Sequence, residues 1–167
     1  PAELNRMISN CNAAAIIDPD QKTMLWGKNV TQQYPLASLT KMMTVLLLME
    51  EIYQGNKGIT LESTVKVTKA ATKIGVRQVW LDPRETFTVD ELLKCALIRS
   101  ANDCTYLLAE FVGGGNYDSF IKRMNARASQ LGCRNFVFYN AHGLPEANNT
   151  ENQGSILELA YLAECLW

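Results

Sequence analysis

Ser38 and Lys41 lie three residues apart in Pro35-Leu36-Ala37-Ser38-Leu39-Thr40-Lys41-Met42-Met43-Thr44, where an apolar run reaching Met49 begins. One helical turn separates them, so a helix starting here puts both side chains on one face. Lys41 then falls in the first turn, near the positive end of the macrodipole, where a cation is disfavoured. Burial against Met42–Met49 opposes the charge further. A neutral lysine beside a hydroxyl can act as its base, which points to chemistry at Ser38. On spacing alone the plainer reading of Ser38 is a helix N-cap.

Ser-x-x-Lys occurs three times, so context must choose. Ser63 to Lys66 lies in Thr60-Leu61-Glu62-Ser63-Thr64-Val65-Lys66-Val67, which alternates like an extended segment and sends the two side chains to opposite faces. Ser119 to Lys122 follows Gly113-Gly114-Gly115 in a polar amphipathic stretch that leaves Lys122 solvated. Only Lys41 precedes a run able to desolvate it.

Sixty-two residues after Ser38 comes Ile98-Arg99-Ser100-Ala101-Asn102-Asp103, with the only Ser-x-Asn of the chain. With these two motifs the sequence resembles the serine D-alanyl-D-alanine carboxypeptidases, the low-molecular-mass penicillin-binding proteins related to serine β-lactamases. Ala14-Ala15-Ile16-Ile17-Asp18 and Met24-Leu25-Trp26-Gly27-Lys28-Asn29 look like that family's opening hairpin. Phe138-Tyr139-Asn140-Ala141-His142-Gly143-Leu144-Pro145 is similar to its Asn-x-x-Gly-Leu-Pro stretch, and Gly154-Ser155-Ile156-Leu157-Glu158-Leu159-Ala160 resembles the helix that follows. The likeness runs from about residue 12 to the C-terminus.

The resemblance implies roles. Ser38 is the nucleophile, Lys41 its general base, Ser100 a proton relay to the leaving D-alanine nitrogen, and Asn102 a substrate-binding residue that also orients Lys41. The substrate is a peptidoglycan stem peptide ending in D-Ala-D-Ala, β-lactams are covalent inhibitors, and no metal or cofactor takes part. The expected place of action is periplasmic or extracytoplasmic, with any export signal or membrane anchor outside these residues. A serine β-lactamase-like hydrolase and a non-catalytic cell-wall-binding remnant stay open as alternatives. The family's later Lys-Thr-Gly motif is absent from the sequence. Lys73-Ile74-Gly75 stands too early in chain order and reads as the end of a short helix, Lys69 to Lys73, with Gly75 near its C-cap.

The elements that must position these residues follow from pattern. Residues 13–17 and 23–27 read as strands joined by Asp18-Pro19-Asp20. Helices are expected over 38–54, ended by Gly55-Asn56; from the capping box Thr88-Val89-Asp90-Glu91 to about Ile98; from Cys104 to Val112; from Tyr117 to Leu131; and from a second capping-box pattern at Ser155–Glu158. The fold class is α/β in the α+β sense: a partial β-lactamase/DD-peptidase-like fold, helix-rich with an N-terminal β-hairpin, in one incomplete catalytic domain over 1–167. One hairpin cannot form the central sheet such a fold requires, and two strands alone are marginal. A second chain or an exchanged segment supplying the missing strands is therefore an expected partner.

Composition bounds the rest. Apolar residues make up 47%, charged residues 20%, and the net charge is −1, which gives no reason to expect nucleic acid. The five cysteines are widely spaced, against a zinc site; Cys95, Cys104 and Cys165 read as small core residues. His142, the only histidine, sits in a Gly-Leu-Pro turn and reads as loop-shaping rather than catalytic. Gly113–Gly115 lacks the Lys-Ser/Thr of a phosphate loop, and Trp26, Trp80 and Trp167 read as packing residues.

Overall fold

Asp18 turns the hairpin. In the computed structural model, which describes residues 2–167, its Oδ1 accepts from the N–H groups of Asp20 and Gln21, both at 3.0 Å, an Asx turn of the kind its sequence encodes. The turn joins strands β1 (Ala14–Asp18) and β2 (Thr23–Lys28), antiparallel with Ala14 opposite Lys28 and a register slip at Ile16/Ile17. A short helix, α1 (Ala2–Met7), precedes them. Two further antiparallel ladders follow; one of their strands lies in the alternating stretch Thr60–Val67, and the others are too short for a period-2 signal. The ladders pair β3 (Tyr34–Pro35) with β6 (Gln153–Gly154), and β4 (Thr64–Lys66) with β5 (Thr86–Thr88).

The helices follow their caps. A 3₁₀ turn over Ala37–Thr40 leads into α2 (Lys41–Gln54), which Gly55 ends with φ +67° and an N–H to the Glu51 carbonyl. The regular helix thus starts three residues later than its sequence predicts. At Thr88 both halves of the capping box form: its Oγ1 accepts from Glu91 N–H at 3.2 Å, and Glu91 Oε2 accepts from Thr88 N–H at 2.8 Å. This opens α3 (Val89–Ile98), followed by α4 (Asn102–Val112) and α5 (Tyr117–Gln130). Only half of the second box forms at α6 (Ile156–Leu166): Ser155 accepts from Glu158 N–H, but the Glu158 carboxylate turns to Asn135 N–H at 2.9 Å. The expected helix at 69–73 is a 3₁₀ turn over Ala71–Lys73, ended by extended Ile74 rather than by Gly75.

Helix α4 lies against α2, α3 and α5 at the centre of the core. Its Cys104, Leu107, Leu108 and Val112 are buried with Met43, Leu47 and Leu48 of α2, Leu92 of α3 and Phe120 and Met124 of α5. Burying each such side chain is worth roughly 1.5–3 kcal/mol. Two arginines brace α5 to α2: Arg123 meets the buried Glu51 carboxylate and Arg127 that of Glu50, each at 2.7 Å. Two packing expectations fail. Trp80 and Trp167 are exposed, Trp80 on a loop with φ +62° and Trp167 at the last position, and Cys165 is exposed on the final turn of α6. Cys104 is buried and Cys95 half-buried, as expected. Among the described residues no helix is long and apolar enough to cross a membrane.

Candidate active site

The 3₁₀ turn raises Ser38 to the surface between a buried Leu36 and a buried Thr40. No side-chain cap forms at the start of this turn or of α2, so Ser38 is not the N-cap that spacing suggests. Its Oγ instead meets the Ser100 hydroxyl at 3.0 Å and Lys41 Nζ at 3.3 Å. Lys41 is 4% exposed. Its ammonium donates to Asn102 Oδ1 at 2.8 Å, to the His142 carbonyl at 3.0 Å and to Ser38 Oγ at 3.3 Å, one acceptor for each hydrogen. Burial, and then the positive charge of Arg77, push its pKa down to about 8. At pH 7 that leaves roughly one lysine in ten neutral, against about one in three thousand at the ordinary value.

Ser100 and Asn102 come from the break between α3 and α4. The N–H groups of Arg99 and Ala101 both donate to the Cys95 carbonyl at 3.2 Å, and Ser100 between them takes φ +55°. Such a backbone state is costly outside glycine and recurs at functional sites. Asn102 donates its N–H to the Arg77 carbonyl at 2.8 Å and its amide NH₂ to the carbonyls of Val76 and Gly75. That fixes which end of the amide faces Lys41.

A second turn closes the site from behind. Gly143 has φ +92°, and a Cβ there would stand 1.8 Å from the Ala37 carbonyl oxygen, so only glycine fits under the Ser38 turn. Asn140 Oδ1 accepts from Gly143 N–H at 2.7 Å, and buried Asn152 donates to Thr40 Oγ1 at 3.0 Å and to the Asn140 carbonyl at 2.9 Å. Thr44 Oγ1 donates to the Ala141 carbonyl at 2.7 Å. His142 is buried, with Nδ1 accepting from Leu144 N–H at 3.2 Å; burial and then Lys41 hold its pKa down at about 4, so the ring is neutral.

The four residues singled out by motif are therefore brought together, and Ser38, Lys41 and Ser100 face an open cleft of about 440 Å³ lined also by Leu39, Met42 and Leu97. The other two Ser-x-x-Lys pairs are not assembled. Lys66 Nζ donates to the Arg84 carbonyl at 2.7 Å, and Lys122 is exposed. Sequence reasoning missed the His142 carbonyl and the Asn152 bridge, although the Asn-x-x-Gly-Leu-Pro likeness pointed to the segment holding the first.

Comparison with known proteins identifies the family. The family model "D-alanyl-D-alanine carboxypeptidase" matches residues 5–166. The chain is 34% identical over 160 residues to the D-alanyl-D-alanine carboxypeptidase DacF of Bacillus subtilis, covering 96% of this chain and 40% of that one. It is 34% identical to DacC of Escherichia coli over 81% of this chain and 34% of the other. The carboxypeptidase DacD of Francisella tularensis superposes with a TM-score of 0.85 at 28% identity, over 92% of this chain and 36% of its own. Penicillin-binding protein 5 of Haemophilus influenzae does so with a TM-score of 0.82 at 28% identity, over 92% and 44%. A Listeria monocytogenes penicillin-binding protein with ampicillin bound gives 0.79 at 25% identity, over 93% and 60%. The chain spans about two fifths of the length of the curated relative DacF. By the family match, the identities and the shared fold, the chain belongs to the D-alanyl-D-alanine carboxypeptidase family.

Proposed function

We propose that the protein to which these residues belong is a serine D-Ala-D-Ala carboxypeptidase acting outside the cytoplasm on peptidoglycan stem peptides. One observation carries the reading: a buried lysine whose amine reaches Ser38 Oγ, with the Ser100 hydroxyl on the same oxygen. Neutral Lys41 takes the Ser38 proton as Oγ attacks the penultimate D-alanine carbonyl. Ser100 passes a proton to the leaving D-alanine nitrogen, and water hydrolyses the acyl-enzyme. Asn102 holds Lys41 through Oδ1 while its NH₂ is occupied by loop carbonyls. This favours an orienting role, and contact with substrate requires release of one of those bonds.

The reading extends to strands that the sequence lacks. With no Lys-Thr-Gly present, an oxyanion donor and much of the substrate positioning are taken to come from polypeptide outside residues 1–167, whether a continuation, an exchanged segment or a second chain. One lost oxyanion donor costs roughly 2.7–4 kcal/mol of transition-state stabilisation, so residues 1–167 alone are expected to turn over D-Ala-D-Ala peptides very slowly. Intact mass after incubation with benzylpenicillin, beside a Ser38→Ala control, tests the site. A persistent adduct on the wild type alone is expected once the missing strands are supplied. An adduct that survives Ser38→Ala would remove Ser38 as the nucleophile.

A further inference from the structure

The segment from Gly75 to Leu81 runs against the preferences of its own residues. Val76, Arg77 and Trp80 take φ of +49°, +46° and +62°, a conformation rare for bulky side chains. Buried polar groups hold it there. Asn102 N–H binds the Arg77 carbonyl at 2.8 Å, and the Asp103 carboxylate, on a residue 1% exposed, accepts from the N–H groups of Val79 at 3.1 Å and Leu81 at 3.3 Å. The outcome is unusual for so firmly anchored a loop. Val76 is 69% and Trp80 80% exposed, and Arg77 is exposed with no side-chain partner among the described residues. The Arg77 backbone stands one hydrogen bond from Asn102, which itself holds Lys41. Its charge is felt at Lys41, and Asp103, the carboxylate packed here, is turned to the loop N–H groups. Backbone strain clusters at active sites and ligand clamps, and here it stands beside the residue that holds Lys41. A guanidinium fork matches a carboxylate, and an exposed indole offers apolar area at small entropic cost.

We propose that Arg77 and Trp80 form a recognition subsite for a carboxylate of the bound peptide, Arg77 pairing the anion and Trp80 covering the adjoining aliphatic chain. The inference rests on the peptidase reading and refines its substrate class to anionic peptides. The carboxylate is either the peptide's C-terminal one or a side-chain one, and the test separates them. Three synthetic peptides ending in D-Ala-D-Ala are titrated into ¹⁵N-labelled chain: one with both carboxylates free, one with the side chain amidated, one with the terminus amidated. The Trp80 indole N–H, identified with Trp80→Phe, reports binding. Amidation of the carboxylate that Arg77 reads should weaken binding about tenfold. Arg77→Gln, an exposed change, should reduce the diacid peptide to that same level and leave the matching amide unaffected. Equal affinity for all three peptides, an equal loss for all three in Arg77→Gln, or an unmoved Trp80 signal overturns the subsite. Benzylpenicillin acylation of Ser38, measured in parallel, judges the peptidase reading separately. With the missing strands supplied, discrimination without acylation keeps the subsite and fells the reading, and acylation without discrimination does the reverse.

Discussion

Two segments bear on Lys41, Asn140–Gly143 directly and Gly75–Leu81 through Asn102, and they are built on opposite plans. Behind it, Asn140–Gly143 is buried and saturated: its carbonyls and N–H groups bond Thr44, Lys41, Tyr117 and Asn152, and a glycine occupies its one left-handed position. In front, Gly75–Leu81 places three non-glycine residues in the left-handed region and leaves Val76 and Trp80 in solvent. The rear turn has the residue each backbone angle asks for, and the front loop does not. Fixing a base calls for a site with no freedom, whereas meeting a ligand calls for side chains held outward at some cost in stability.

Substitutions can break this contrast. The largest effect is expected from Gly143→Ala, whose Cβ would meet the Ala37 carbonyl and whose φ is unfavourable for alanine; urea unfolding should show a loss of about 4 kcal/mol. Asn152→Ala leaves Thr40, Tyr139 and Asn140 groups without their partner inside the protein and should cost about 3 kcal/mol in the same assay. The neutral burial of His142 gives a pH test. Its folded pKa, about 4, lies below the ordinary 6.5. Between those values the unfolded chain binds more protons, so stability is lost as pH falls from 6.5 to 4. Relative to His142→Gln, wild type should lose roughly 2–3 kcal/mol across that window; parallel curves would mean the imidazole is solvated. The smallest effect has the opposite sign. Val76→Gly relieves a left-handed β-branched residue in the front loop and should stabilise by about 1 kcal/mol, and a loss instead would erase the distinction between the two segments.

What was legible in the sequence was placement carried by local spacing. Ser38 with Lys41, Ser100 with Asn102, the Thr88 cap and the Asp18 turn each need only a few neighbouring residues, and each appears where its pattern placed it. The rear wall was not legible for the converse reason. Lys41 binds the backbone carbonyl of His142, an atom every residue has, and Asn152 reaches Thr40 across 112 positions. Strands of two or three residues, β4 apart, carry no periodicity. Trp80 was misplaced because apolarity is read as burial, and Glu158 left its capping box because Asn135, distant in sequence, offered another N–H.

The bonds that close the Ser38 turn also have a place in time. Leu36 N–H to the Asn152 carbonyl, Thr40 to Asn152 and Thr44 to the Ala141 carbonyl all span about a hundred residues or more, while the helical body from α2 to α5 lies between their ends. Closing such long loops carries an entropic cost that local helices do not face. A nascent chain can therefore pack its helices before these contacts exist, and its lysine then remains solvated, charged and unable to accept a proton. The buried, fully bonded Lys41 beside Ser38 is assembled only after residue 152 has been made and docked, long after the serine itself.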